Sequence, residues 1–284
     1  MRHPTVRRNT LELEPGIHQL AHGLKPFGIP APNVYLIQGT DASMFIDSGW
    51  DNEDDHAARM AYLKDVGGPP LTGVLITHRH GDHGGGALRI HQDTGVSTSA
   101  HRLDQQAIEA ERFGGAATLD SILDGGESFD LGGLTLQVVH TPGHTVGSLT
   151  VLIPERNVML SADTVLGMTT TVVRPSEGDL GKYVESLHML RALKPGLIYP
   201  GHGEPLIDPD DRIRQLIDHR IHREEQILAE LSKAPQSIDQ LFQTIYPNLP
   251  EERQRIGKEQ VESQLIKLTN EGRIVADGEV YALK

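Results

Sequence analysis

The chain has 284 residues, 37% apolar and 23% charged with 30 glycines, a globular composition with many turns that argues against a disordered or membrane-embedded chain. Its 39 acidic residues against 26 basic ones leave a formal charge of −13, which disfavours a polyanionic partner held by general electrostatics. Cysteine is absent, which excludes disulfides, iron–sulfur clusters and thiolate zinc sites, so any metal must be held by histidine and carboxylate.

No stretch approaches the ~20 apolar residues of a membrane span. The opening run with Arg2, Arg7 and Arg8 lacks the apolar core of a secretory signal, so a cytoplasmic protein without membrane contact is expected. Short strands are predicted over 16–22, 33–38 and 43–47, separated by Pro- and Gly-rich turns, as an antiparallel meander. A helix over 52–65 follows. The run Gly73-Val74-Leu75-Ile76-Thr77 then reads as a strand covered on both faces. Beyond it the pattern predicts a helix near 84–93, a strand at 96–100, a helix at 102–112, strands near 134–140, 147–153 and 157–162, a helix at 179–193 and a strand at 196–200. Two β-sheets packed together with helices outside account for this order.

The composition changes after Pro205. A long polar helix is predicted over 209–232, a short one over 237–245, another long one over 250–271, and a hairpin of 273–276 with 279–283 turning at Asp277-Gly278. That is the order of a winged helix. The boundary is expected near 208–220, with a catalytic unit over 1–207 and a linker helix plus winged-helix-like α+β module over 208–284.

The chemistry concentrates in Thr77-His78-Arg79-His80-Gly81-Asp82-His83, at the end of a predicted strand. A loop leaving a strand can aim alternate side chains one way, so His78 and His80 can share one metal while Asp82 and His83 turn toward a second. Imidazole and carboxylate suit zinc, manganese and ferrous iron. One loop cannot close two sites, and later strand ends supply more donors: His144 after Thr141-Pro142-Gly143, Asp163 after Ser161-Ala162, and His202 between Gly201 and Gly203, where flanking glycine lets the backbone approach closely. His140 reads as a strand-end hydrogen bonder, and His101, His188, His219 and His222 as surface or helix positions. Tyr183 and Arg174 flank the loop after Asp163 and are read as structural.

Together with Asp47 in Ile46-Asp47-Ser48-Gly49, these motifs over about residues 16–207 resemble the five ordered motifs of the metallo-β-lactamase superfamily. The resemblance implies an α/β αββα sandwich. It implies one metal held by His78, His80 and His144, a second held by Asp82, His83 and His202, Asp163 bridging them, and Asp47 orienting the ligand loop by hydrogen bonds. Two adjacent dications can activate a shared water for attack on an acyl or phosphoryl centre, with Asp82 also helping to hold that nucleophile. Two zinc ions per chain are expected, with manganese or iron as alternatives.

The tail narrows the resemblance. Tyr199-Pro200-Gly201-His202-Gly203, the Gly167-Met168-Thr169-Thr170-Thr171 loop, His219-Arg220, Arg223-Glu224-Glu225-Gln226-Ile227 and Ile245-Tyr246 ahead of the winged helix resemble the branch called β-lactamase-like protein 2. That branch unites single-strand-preferring endoribonucleases with fungal acyl-carrier-protein thioesterases. Residues 208–284 hold 11 Lys and Arg against 15 Asp and Glu. The candidate recognition helix mixes Glu251, Glu252, Glu259 and Glu262 with Arg253, Arg255, Lys258 and Lys267, so an interaction or lid role outweighs duplex binding. The expected function is therefore a dinuclear zinc hydrolase of a small or carrier-linked ester, thioester or lactone, with cleavage of single-stranded RNA at the same site as the alternative. A mononuclear iron thiol dioxygenase and a winged-helix regulator with a vestigial metal domain rank lower because all seven ligands are retained, and a β-lactam hydrolase ranks lower because of the expected cytoplasmic placement and the extra C-terminal module. A homodimer is compatible with the sequence.

Overall fold

The computed structural model describes residues 10–21 and 30–284; Arg2, Arg7, Arg8 and the expected strand end at His22 lie outside the described residues. A seven-stranded sheet runs in chain order through β1 (Thr10–Glu14), β2 (Ile17–Ala21), β3 (Asn33–Gln38), β4 (Ser43–Ile46), β5 (Leu71–Leu75), β6 (Ser97–His101) and β7 (Ser121–Leu123). The first four pair antiparallel, and β2, β3 and β4 form the predicted meander. From β4 onward pairing is parallel, so each step needs a crossover. Helix α1 (Glu53–Val66), the single turn α2 (Gly81–Gly84) with α3 (Ala87–Thr94), and α4 (Arg102–Ala107) supply these. Asn52 starts α1 by accepting from the amides of Asp54 and Asp55.

The second sheet contains β8 (Ser128–Asp130), β9 (Thr135–His140), β10 (Leu149–Ile153), β11 (Val158–Ala162) and β12 (Leu197–Pro200), with α5 (Leu180–Ala192) crossing between the parallel strands β11 and β12. Ile17, Ile37, Ile46 and Leu75 of the first sheet share one buried cluster with Leu136, Val138, Val151 and Leu160 of the second. Along β5 and the residue after it the side chains alternate: Leu75 faces that interior, while Val74 and Ile76 face Ile90 and Ile108 on the outer side. This two-sided burial explains the unbroken apolar run in the sequence.

Helix α6 (Pro209–Leu231) serves two cores. Ile213, Leu216 and Ile217 pack with Leu187 and Leu190 of α5, whereas Ile227 and Leu231 pack into the C-terminal module. That module comprises β13 (Gln236–Ser237), α7 (Ile238–Ile245), α8 (Glu251–Asn270), β14 (Ile274–Asp277) and β15 (Val280–Leu283), with β15 central in a three-stranded sheet. Ser237 and Gln240 start α7 with reciprocal capping bonds.

Four strands go beyond the sequence expectation: β1, β7, β8 and β13. Three of them have two or three residues, too few for an alternation to register, and β1 is a largely solvated edge. The stretch 102–112 is not one regular α-helix, because after Ala107 it widens into a π-helical turn through Arg112. The helix expected near 84–93 is also divided. Its first turn already covers Gly81–Gly84, so Asp82 and His83 stand in a helical turn rather than an extended loop.

Candidate metal centre

The run 77–83 leaves β5 extended, with His80 at φ −68° and ψ 148°, and then coils into α2. The extended part puts His78 and His80 on one side, and the helical turn swings Asp82 and His83 to another. His78 Nε2 and His144 Nε2 each lie 3.0 Å from His80 Nδ1. On the other side His83 Nε2 is 3.4 Å from His202 Nε2, and His202 Nε2 is 3.4 Å from Asp82 Oδ2. Asp163 lies between: Oδ2 is 3.7 Å from His144 Nε2, and Oδ1 is 3.4 Å from His83 Nε2 and 3.6 Å from His202 Nε2. The structure thus gathers His78, His80, His144, Asp82, His83, His202 and Asp163 at one place, in sets whose donor atoms lie within 4.8 Å of one another.

Each ring is oriented from behind. Nδ1 of His144 meets Val172 O at 2.7 Å, and Nδ1 of His202 meets Pro30 O at 2.8 Å. Nδ1 of His78 meets Thr77 Oγ1 at 3.0 Å, and Nδ1 of His83 meets Asp47 Oδ2 at 2.7 Å. These four therefore present Nε2 to the centre. His80 is reversed: Nδ1 points inward while Nε2 meets Glu177 Oε1 at 3.2 Å. Asp47 also accepts from Thr77 N at 2.7 Å and Thr77 Oγ1 at 2.9 Å, so one carboxylate ties the start of the ligand run to His83.

Backbone conformation contributes to the aim. Asp47 (φ 63°) and Ala162 (φ 46°) both occupy the left-handed region at strand ends, and the β11–β12 register slips between Leu160 and Ala162 just before Asp163. A Cβ on Gly201 would collide with Asp163 Oδ1 and come within 3.0 Å of His83 Cε1, so only glycine fits beside the ligands.

The electrostatics separate the two sides. Burial, reinforced by neighbouring imidazoles, holds His78 well below the ordinary histidine value and His144 down at about 4. Burial also acts against charge on His83, but Asp163, Asp47 and Asp82 together outweigh it and carry that group well above the ordinary value. His202 is raised in the same way by Asp163 and Asp82. Against the cost of burial, His83 and His202 draw Asp82 to about 2, and His202, His83 and His144 hold Asp163 well below the carboxylate range.

Three bracing residues escape a motif-based reading. Glu177 holds His80, and Asp104 accepts from Arg79 N at 3.0 Å and Thr145 Oγ1 at 2.7 Å, joining the loops of His80 and His144. Asn33 Nδ2 donates to Pro200 O and Gly203 O at 2.9 and 2.8 Å, clamping the turn that carries His202. Only Asn33 has a local signal, a polar residue opening an apolar strand after Pro32. His140 behaves as expected, with Nε2 2.9 Å from Val146 O. His101 corrects the surface-or-helix expectation: it ends β6, is buried, and stacks on His140 with centroids 3.9 Å apart. Tyr183 is structural, its hydroxyl donating to Thr164 O at 3.0 Å.

Residues 28–202 match the family described as the metallo-beta-lactamase superfamily, and residues 237–282 that described as the beta-lactamase associated winged helix domain. A Drosophila melanogaster protein named beta-lactamase-like protein 2 homolog is 29% identical over 265 residues, spanning 88% of this chain and 87% of its own. The atrochrysone carboxyl ACP thioesterase of Aspergillus chevalieri is 27% identical over 290 residues, spanning 95% and 85%. A beta-lactamase domain protein from Burkholderia ambifaria shares the fold over 97% of this chain and 93% of its own, with a TM-score of 0.84 at 23% identity.

Proposed function

On the premise that this chain belongs to the metallo-β-lactamase superfamily and is a metal-dependent hydrolase, we propose that it is a dinuclear zinc enzyme cleaving a small or carrier-linked ester, thioester or lactone. The observation that carries the dinuclear reading is Asp163, whose two oxygens face two different sets of donors. The residues fit the ions. Asp163 Oδ1 is buried without a hydrogen-bond partner among the described residues, an arrangement that makes sense for an oxygen reserved for a cation. Zinc at ~2.0–2.1 Å from each nitrogen in tetrahedral geometry spaces its ligands roughly 3.3 Å apart, close to the separations on both sides.

In this assignment His78, His80 and His144 hold one ion, Asp82, His83 and His202 the other, and Asp163 both. The pair would supply Lewis acidity and activation of water near neutral pH. The chain's own part is to orient the reactants. Asp82, a carboxylate down to about pH 2, accepts a hydrogen bond from the attacking water, and the rings fixed from behind hold the site rigid. Two features favour an acyl substrate over RNA. Exposed, apolar Met168 lies beside Gly203, next to His202, and α8 carries charges of both signs rather than a basic face. The thioesterase name of the Aspergillus relative points the same way.

A panel on zinc-loaded protein tests the proposal: a nitrophenyl ester, an acyl thioester, a lactone, bis-nitrophenyl phosphate and labelled single-stranded RNA. Turnover of one of the acyl substrates, lost in His78→Ala, is expected. Cleavage of RNA alone would overturn the acyl assignment, and a single iron per chain by metal analysis would overturn the dinuclear one.

A further inference from the structure

Behind the loop that follows Asp163 lies a separate, half-open cavity of about 340 Å³, lined by residues 169–172, α6, Tyr246, Leu249 and the first half of α8. Its described lining brings His219, Arg220 and Arg223 of α6 together with Arg253 of α8 and contains no carboxylate, in a chain whose acidic residues outnumber its basic ones. Arg220 is only 3% exposed. Its guanidinium meets neutral partners, Gln260 Oε1 at 3.3 Å and Thr171 O, and lies over the Tyr183 ring at 5.3 Å. Arg223 likewise bonds Gln226 Oε1 and lies 4.6 Å from the Tyr246 ring centre. Arg220 Nε, Arg223 Nε and His219 Nδ1 are buried without hydrogen-bond partners among the described residues.

A buried guanidinium without a counter-charge is costly, and an anion relieves the cost. Burial and then Arg220 and Arg223 depress His219 to about 4, as a positive potential would. The rest of the lining is different in kind: Val172, Leu249, Ile256 and the ring of Tyr246 offer apolar surface. The volume falls within the range of small-molecule sites.

We propose that this cavity binds an amphiphilic organic anion, a phosphate or carboxylate head carrying an alkyl or acyl arm, at a site distinct from the metal centre. The site does not depend on the hydrolase assignment. It shares a wall with the metal centre, because Thr171 Oγ1 donates to Asp163 O at 2.7 Å and Val172 O receives His144 Nδ1. An occupant therefore bears on the segment that orients two of the proposed ligands.

Isothermal titration of zinc-loaded and chelator-treated protein with octyl phosphate, octanoate and inorganic phosphate tests the site. The expected result is one-to-one binding of an octyl anion in both preparations, at least tenfold tighter than inorganic phosphate. The head group that binds tighter identifies the ligand's source. Affinity should fall at least tenfold in Arg223→Gln and in Thr170→Glu, which sets a carboxylate at the rim from an exposed position and leaves the fold intact by circular dichroism. Binding of neither octyl anion, binding no tighter than inorganic phosphate, binding abolished by chelation, or undiminished affinity in Thr170→Glu would overturn the proposal, even should Arg223→Gln fold poorly.

Discussion

Asp47 accepts from both the amide and the hydroxyl of Thr77 and meets His83 Nδ1, so the aim of His83 depends on a carboxylate facing away from the proposed ions. Replacing it by asparagine keeps the shape but removes the charge that makes His83 a better donor. Residues in such positions typically contribute 10–100-fold to metal affinity. Asp47→Asn should weaken the ion on the His83 side by that factor, read by competition with a chelating dye, and the ion on the His78 side less, because Asp47 reaches His78 only through Thr77 Oγ1; a larger loss on the His78 side would count against the division of ligands.

A proton count gives a second prediction on the same scale. His83 and His202 have raised pKa values, so below those values a metal must displace their protons, and its affinity falls up to tenfold per pH unit for each proton displaced. His78 and His144 are depressed and release none near neutral pH. Acidification should therefore weaken the ion on the Asp82 side more steeply than the ion on the His78 side, with proton release visible when calorimetry is repeated in two buffers. In chelator-treated protein the sign reverses. A raised histidine pKa stabilises the fold below its unfolded value, and that contribution is lost as pH rises through the folded value. The thermal midpoint of that sample should fall across the range where metal-loaded protein gains.

At the scale of elements, the decisive segment is the connection 171–177 between β11 and α5. On one side Val172 O holds His144 and Glu177 holds His80; on the other, α8 grips the same segment through Gln260, which bonds both N and O of Val173, through Ser263 to Val173 O, and through Glu259 to Arg174. Arg174 in turn reaches Glu177 at 2.9 Å. The C-terminal module thus takes part in positioning two proposed ligands. Gln260→Ala should cost about 1–3 kcal/mol, and Glu259→Ala should weaken metal on the His78 side several-fold. Glu252→Ala, at an exposed position in the first turn of the same helix, serves as the control. Metal affinity unaltered in both test variants would remove this role.

The same segment marks the limit of what the sequence discloses. Asp47, His78, His144, Asp163 and His202 are legible because each stands in a short polar motif at the end of an apolar strand, where the chain emerges from the core. The winged helix is legible because its helices and hairpin carry caps and a turn at the right offsets. Glu177 and Asp104 give no such sign. Arg174-Pro175-Ser176-Glu177 is an ordinary polar turn, and Asp104 lies in the first turn of an unremarkable helix. Their importance comes from elements distant in sequence, and only packing reveals it. The bulge and left-handed Ala162 that re-aim Asp163 are equally silent, since nothing in Ser161-Ala162-Asp163 announces them.

For the molecule as a whole, α6 is the feature that decides how it melts. Its first half completes the layer over the second sheet and its second half completes the core of the C-terminal module, so neither core survives without the helix. The bonds between α8 and Val173 add a second connection, which ends at the proposed metal ligands. Two modules joined in this way should unfold as one cooperative unit. Binding two ions at free concentrations one hundred times their dissociation constants stabilises the native state by about 2.7 kcal/mol per site, or about 5 kcal/mol in all. Because the transition is shared, that increment should move the melting of the C-terminal helices together with that of the sheets. Differential scanning calorimetry with and without chelator checks this: a single endotherm that shifts as a whole is expected. Two endotherms, of which only one responds to metal, would show the C-terminal module to be an independent unit with no hold on the site.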